Sequence, residues 1–220
     1  MFQFPKATKI VKIIIGINLI LWILEMILLR VDSLKSIVEM MFLTPDQFLS
    51  GEFWQIVTYG FFHSPTNIFH FILNMLIFYF FSSELNIKWG DKRFIFFYLI
   101  SIFIGGVFVI LESFIITSHY YIPTIGASAA VFALTTAYAL TYAEREIYFF
   151  FFPIKAKYLI HIDLALIVLN YLSIGEKNSS NAAHLGGMIA AFLIIKIPWY
   201  RYKRKYKNKK EIKKYLKVVK

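Results

Sequence analysis

Four polar residues in apolar surroundings have the types and spacing that acyl-transfer chemistry needs. His70 and Asn74 stand four residues apart, so a helix would carry them on one face. Ser128 and His184 lie in two later apolar runs that are rich in alanine and glycine. A serine hydroxyl becomes a nucleophile when a neutral histidine accepts its proton, and nearby hydrogen-bond donors stabilise the oxyanion that forms. The four side chains therefore make a candidate hydrolytic site.

The composition indicates the environment in which these residues lie. Of 220 residues, 59% are apolar and 17% are charged, and the mean hydropathy is +0.62. Soluble domains are about 45–50% apolar and about 25% charged. The chain is therefore expected to be an integral membrane protein. It has no cysteine, which excludes disulfides, thiol catalysis and Cys-ligated metals.

Six apolar runs are candidates for helices that cross a bilayer core about 30 Å thick. They lie at about 10–29, 66–82, 94–117, 125–143, 158–173 and 182–198. Together they predict an all-α, polytopic bundle of six transmembrane helices in one domain. This domain would cover residues 1–198, and a basic tail would follow at 199–220.

The distribution of Lys and Arg predicts the orientation of the bundle, because these residues accumulate on the cytosolic side. If the N-terminus is cytosolic, all but three of the 24 Lys and Arg residues lie inside. The exceptions are Arg30, Lys35 and Lys177. Both termini are therefore predicted to be cytosolic, and the expected location is a prokaryotic plasma membrane. The apolar connection at about 30–65 would then be external and lie partly in the membrane interface.

This topology brings the four polar residues to one depth, because the second, fourth and sixth spans all run from outside to inside. Each of these spans carries its polar residues within about two turns of its external end. Ser128 is then the expected nucleophile and His184 its general base. The side chains of His70 and Asn74, with backbone N–H groups around Ser128, would stabilise the oxyanion.

Two rows of small residues would permit the close helix approach that a Ser–His hydrogen bond requires. The rows are Ala129, Ala133 and Ala137 in the fourth span, and Ala183, Gly187 and Ala191 in the sixth. Plain helix packing explains the same pattern equally well. Asp163, the only carboxylate that we place well inside a span, is expected near the inner surface, too far away to orient His184. The sequence therefore predicts a dyad.

Further motifs extend this pattern along the chain. In order they are Trp54 and Thr58, Phe62-His63, His70-x-x-x-Asn74, Glu84, Trp89-Gly90, Tyr98, Gly126-x-Ser128, the loop run Pro153-Ile154-Lys155-Ala156-Lys157, and Ala183-His184-x-x-Gly187. Over about residues 43–198, the sequence resembles the rhomboid family of intramembrane serine proteases.

The resemblance implies a six-helix fold whose active site opens to the external side. Ser128 and His184 would be the catalytic dyad, while His70, Asn74 and Gly126 would bind the oxyanion and the substrate. The implied partners are the lipid bilayer and single-span membrane proteins as substrates. No cofactor, metal or nucleic acid is implied.

The sequence departs from the family pattern at four places. Ala129 stands where the family often has Gly after the serine, and Gln55 replaces the Arg of a Trp-Arg pair. Phe132 replaces a common Tyr, although its ring could still stack on His184. The spacing from His63 to His70 is two residues longer than usual, so His63 is given no catalytic role.

Two other functions remain open from the sequence. A catalytically inactive rhomboid-like protein would bind membrane clients without cutting them, but relatives of that kind lack the Ser or the His. A small transporter or proton pathway could use the same four polar residues. However, no ionisable residue continues such a path at mid-depth, and no inverted repeat is visible.

Overall fold

The computed structural model of the chain describes residues 6–117, 120–149, 152–173 and 180–205. Two predicted features lie outside this description. They are most of the basic tail, from residue 206 onward, and residues 174–179 of the connection that is predicted at 174–181 and carries Lys177. The division into a membrane domain and a basic tail therefore stays a prediction.

Helices make up most of the described chain. Within those ranges they are α1 Lys9–Leu28, α2 Asp32–Glu39, α3 Pro45–Leu49, α4 Gln55–Thr58, α5 Ile68–Trp89, α6 Asp91–Glu112, α7 Ser128–Thr141, α8 Leu159–Leu172 and α9 Ser180–Lys205. A π-helical turn, Ser113–Thr117, continues α6. The strands β1 Glu146–Phe149 and β2 Phe152–Lys155 form an antiparallel pair between α7 and α8.

The six longest helices, α1 and α5 to α9, coincide with the six predicted apolar runs. By length and composition, α1, α5 and the segment Asp91–Ile116 can cross a membrane, with mean hydropathies of 2.3, 1.5 and 2.8. The helix α7 and the segment Ser180–Lys196 of α9 are apolar but shorter. The predicted all-α, polytopic bundle is thus confirmed, whereas the crossing of all six helices stays a prediction.

The helix α9 packs most extensively against α6 and α7, through positions without bulky side chains. A Cβ atom added at Gly187 would lie 2.0 Å from the carbonyl oxygen of Ala129. One added at Gly186 would lie 2.9 Å from the Cα atom of Gly105. Backbones this close require glycine. The predicted small-residue contact between α7 and α9 is therefore present, and Gly105 of α6 adds a third helix that was not predicted.

The connection between α1 and α5 is held together by a buried glutamine. Gln55 accepts the backbone N–H of Thr44 at 2.9 Å and donates to Glu52 at 2.6 Å and Gln47 at 3.1 Å. Its side chain is therefore satisfied without the Arg that the family often has here. Leucine and aromatic side chains remain exposed on this connection, as expected of a segment lying in the membrane interface.

Residues 153–157, expected as a loop, begin within β2. The base of the hairpin is tied to the helices because Arg145 pairs with Glu84 of α5. Lys155 and Lys157 each lie 2.8 Å from the carboxylate of Glu144. Hydrogen bonds from these two ammonium groups lower the pKa of Glu144 to about 2.

Candidate active site

Ser128 is the first residue of α7, and this position gives the serine its surroundings. The first N–H groups of a helix have no partner inside it, so those of Ser128, Ala129 and Ala130 point outward from the helix end. The helix dipole adds partial positive charge at the same place. The start of α7 can therefore stabilise negative charge that develops next to the Ser128 hydroxyl.

The turn before Ser128 is fixed by contacts with the α1–α5 connection. The N–H of Gly126 donates to the carbonyl of Tyr59 at 3.0 Å. Leu43 and Thr124 exchange two backbone hydrogen bonds, at 3.0 and 2.8 Å. Tyr59 itself is buried and donates its hydroxyl to the carbonyl of Ile102. The connection therefore supports the turn that presents the serine.

His184 of α9 lies beside the serine, with its Nε2 atom 2.8 Å from Ser128 Oγ. The ring of Phe132, one turn after the serine, stacks on the imidazole with 4.1 Å between centroids and 4° between planes. Phe132 thus supplies the stacking that the sequence suggested. A neutral imidazole in this contact can accept the serine proton.

Among the described residues, no carboxylate forms a hydrogen bond with His184. Asp163 of α8 is buried and accepts a 2.6 Å hydrogen bond from the hydroxyl of Thr135. Thr135 lies seven residues beyond Ser128 on α7, which is about 10 Å along the helix. Asp163 therefore lies away from the Ser–His pair, as the sequence analysis expected, and its depth in a membrane stays a prediction.

His70 lies next to Gly126 and close to the serine. A Cβ atom at Gly126 would lie 2.8 Å from His70 Nε2 and 3.7 Å from Ser128 Oγ. Gly126 also has φ +126, a left-handed conformation that favours glycine. This position therefore needs glycine both for its backbone angle and for the space between imidazole and serine.

Asn74 follows His70 by one helical turn and is buried. Its Nδ2 atom donates to the carbonyl of His70 at 2.7 Å. Since the amide carries two hydrogens, one remains for a further acceptor. The structure thus brings Ser128, His184, His70 and Gly126 together and places Asn74 directly behind His70.

Sequence reasoning missed the surroundings of His63. Its ring is fully buried, and its Nε2 atom accepts the N–H of Ala127 at 3.5 Å. The backbone N–H of His63 donates to the carboxylate of Glu25 of α1 at 3.0 Å. Glu25 is therefore a second buried helix carboxylate besides Asp163, which corrects the sequence analysis. The signal was available, because Glu25 interrupts an otherwise apolar run.

The site brings together groups that suit acid–base and nucleophilic chemistry. In the part of the chain that the structure describes, no group of three His, Asp or Glu residues is arranged to hold a metal ion. The reactive groups are one hydroxyl, two imidazoles, one amide and the N–H groups at a helix start. Such a set can transfer an acyl group from an amide to the serine and then to water.

Comparison with known proteins places the chain in a family. The sequence matches the Rhomboid domain over residues 50–201. It is 26% identical over 196 residues to Rhomboid-type serine protease B of Aspergillus fumigatus, covering 88% of this chain and 66% of that protein. It is 28% identical over 196 residues to RHOMBOID-like protein 12, mitochondrial, of Arabidopsis thaliana, covering 80% of this chain and 54% of that protein. The chain thus spans between about half and two thirds of the length of these relatives. Because the domain match covers well over half of its residues, this integral membrane protein belongs to the rhomboid family.

Proposed function

We propose that this chain is a serine endopeptidase that cleaves transmembrane segments of other proteins with a Ser128–His184 dyad. The observation that carries the proposal is the 2.8 Å contact between His184 Nε2 and Ser128 Oγ. This contact lies at the start of α7, where N–H groups are available. Membership of the rhomboid family supports the same reaction class, since the fungal relative is named as a serine protease.

The first step forms an acyl-enzyme. Neutral His184 accepts the Ser128 proton on Nε2 while Oγ attacks the carbonyl carbon of the scissile peptide bond. The carbonyl oxygen becomes an oxyanion, which the His70 imidazole, the Asn74 amide and the Ser128 backbone N–H would stabilise. When the C–N bond breaks, the imidazolium returns its proton to the leaving amine.

The second step uses the same groups with water as the nucleophile. His184 accepts a proton from water, whose oxygen attacks the acyl carbon, and a second oxyanion forms in the same place. The ester bond to Ser128 then breaks, and the imidazolium protonates Oγ. The product has a new carboxylate, and the enzyme is restored without any cofactor.

The substrates that fit this site are single-span membrane proteins whose helix unwinds locally. Peptide bonds inside a helix are shielded by their own hydrogen bonds, so only an unwound segment exposes its carbonyl carbon to Ser128. Helix-weakening residues near the cut, such as glycine or proline, would favour such unwinding.

The proposed topology places both termini on the Lys-rich, cytosolic side and the dyad near the opposite surface. The relatives are fungal and plant proteins, and the plant protein is mitochondrial by name. Because these relatives come from a fungus and a plant, the predicted location in a prokaryotic plasma membrane is too narrow. We therefore propose that the chain is an integral membrane protein and name no particular membrane.

The alternative function is a catalytically inactive rhomboid-like protein that binds membrane clients. Client binding alone requires neither the Ser–His hydrogen bond nor a left-handed Gly126 beside an imidazole. Both features are present in this chain. They favour the protease over the binding protein.

The test is covalent labelling of the purified protein with a fluorophosphonate, which reacts with activated serines. The serine Oγ attacks phosphorus, fluoride leaves, and the serine proton passes to the histidine. We expect wild-type protein to be labelled and Ser128→Ala to remain unlabelled. Ser101→Ala is the matched control, because that buried helical hydroxyl donates to the carbonyl of Phe97. Labelling of the Ser128→Ala protein at the wild-type rate would overturn the proposal.

A further inference from the structure

Two side chains in the C-terminal half of α1, Trp22 and Glu25, hold the dipeptide His63-Ser64 in place. Trp22 Nε1 donates to the carbonyl of Ser64 at 3.2 Å, and the N–H of His63 donates to Glu25 Oε2 at 3.0 Å. Trp22 and Glu25 lie three residues apart and therefore share one face of α1. The indole stacks on Phe71 of α5, with 4.4 Å between centroids and 3° between planes. The dipeptide is thus fixed to α1 and indirectly to α5.

From Ser64 the contacts continue to the imidazole of His70. The N–H of Ser64 donates to His70 Nδ1 at 3.2 Å. A neutral imidazole whose Nδ1 accepts a hydrogen bond must carry its proton on Nε2. The Nε2 atom is the one that faces Gly126 and Ser128. The dipeptide therefore makes His70 a hydrogen-bond donor toward the serine.

From His63 the contacts continue to the turn that presents the serine. His63 Nε2 accepts the N–H of Ala127, the residue immediately before Ser128. The rings of His63 and His70 lie 5.3 Å apart between centroids. One dipeptide thus contacts both His70 and the turn before Ser128, the two parts of the chain that border the proposed oxyanion site.

The groups that hold the dipeptide are costly in a membrane protein. Glu25 and the ring of His63 are both fully buried. Within the described chain, the second carboxylate oxygen of Glu25, Oε1, has no hydrogen-bond partner. Buried polar groups of this kind inside a membrane bundle are typical of functional positions, because packing alone would be served better by apolar side chains.

We propose that Trp22, Glu25 and His63 are positioning residues of the oxyanion site, a proposal that rests on the proposed function. They act through the His63-Ser64 dipeptide, which keeps the Nε2 proton of His70 directed at the site and holds the turn before Ser128. The helix α1, which carries no part of the Ser–His dyad, therefore takes part in catalysis at a distance.

The test compares apolar variants with conservative ones at the same positions. Glu25→Leu removes the acceptor for the His63 N–H, whereas Glu25→Gln keeps an acceptor oxygen. His63→Leu removes the acceptor for the Ala127 N–H, whereas His63→Gln can still accept it. Trp22→Phe keeps an aromatic ring on Phe71 and removes only the indole donor.

Four quantities are measured for each variant: the thermal midpoint, the rate of fluorophosphonate labelling, and kcat and KM for a transmembrane substrate. We expect the two leucine variants to lose about 10- to 100-fold in kcat and in labelling rate, as displaced catalytic groups do, with KM changed less than about twofold. Glu25→Gln and His63→Gln should stay within about threefold of wild type.

Asn18→Leu is the matched control for a general loss of α1 packing. Asn18 is buried one turn before Trp22 and donates to Tyr98 and to the carbonyl of Ile14, away from the dipeptide. The thermal midpoint of the Asn18→Leu protein should fall, while kcat of the folded protein should stay at the wild-type value. If kcat falls as much in Asn18→Leu as in Glu25→Leu and His63→Leu, the proposal is overturned, because a general loss of packing would then explain all three losses.

A spectroscopic measurement keeps the proposal separate from the protease itself. Nitrogen NMR of labelled histidine, at a pH where His70 is neutral, should find the proton on Nε2 in wild-type protein and a mixture of tautomers in Trp22→Phe. A proton on Nδ1 in wild type would overturn the positioning proposal even if the protein cleaves its substrate. If the wild-type protein shows the expected tautomer but is not labelled by the fluorophosphonate, the proposed function is refuted instead.

If Glu25→Leu or His63→Leu does not fold, the Trp22→Phe variant decides. A wild-type His70 tautomer together with a wild-type kcat in Trp22→Phe would overturn the proposal.

Discussion

At the scale of single residues, the proposed dyad consists of two side chains that would act as a unit. The His184 imidazole and the Ser128 hydroxyl are in hydrogen-bond contact, so removing either one leaves the other without its partner. Effects of residues that act together do not add. This gives the dyad a kinetic signature that two independent residues would lack.

We therefore predict that His184→Ala lowers kcat by at least about 10⁴-fold, as much as Ser128→Ala, and that the double variant is no worse than either. The measurement is single-turnover cleavage of a transmembrane substrate, with folding checked by thermal unfolding. Losses that multiply in the double variant would contradict a dyad.

The second residue-scale prediction concerns Gly126. A methyl group there would lie 2.8 Å from His70 Nε2, and alanine rarely adopts φ +126. Gly126→Ala should therefore lower kcat by about 100-fold or more, as the loss of an oxyanion donor does. The matched control is Gly16→Ala in α1, where an added Cβ meets nothing within 4 Å. Equal kcat values for the two alanine variants would show that the space beside His70 is not used.

At the scale of helices, the distance between the serine and the histidine depends on the glycine contact between α7 and α9. A Cβ atom at Gly187 would lie 2.0 Å from the Ala129 carbonyl oxygen, so Gly187→Ala must separate the two helices. We expect a stability loss of about 1–3 kcal/mol from overpacking. A helix shift of about 1 Å should also lower kcat by about 100-fold. The thermal midpoint and the fluorophosphonate labelling rate measure the two effects, and wild-type values for both would contradict this role of the contact.

The helices were also the part of the fold that the sequence predicted best. Long apolar runs and rows of small residues are local patterns, and they located six helices and the contact between α7 and α9. The interactions that were missed depend on the folded arrangement of distant segments. Glu25 reaches the backbone of His63, 38 residues away, through a connection whose path has no periodic pattern. The pairing of β1 with β2 was missed as well, because aromatic residues beside a membrane helix fit a loop equally well.

At the scale of the whole molecule, the orientation in the membrane decides which substrates can reach the dyad. All but three of the 24 Lys and Arg residues fall on one side of the predicted topology. We therefore predict that a reporter active only outside the cytosol works when inserted in the predicted 174–181 connection and fails at the C-terminus. A reporter active only in the cytosol, placed at the same two sites, is the control. The reverse pattern would mean that the dyad lies near the cytosolic surface.

Cleavage of a single-span substrate by the purified protein in lipid vesicles tests the proposed role of Ser128 most directly. Wild-type protein should cut within or next to the transmembrane segment. Ser128→Ala should fold normally, because alanine adds no volume at this position, and should leave the substrate intact. Cleavage at the same peptide bond by the Ser128→Ala protein would contradict the assignment of Ser128 as the nucleophile.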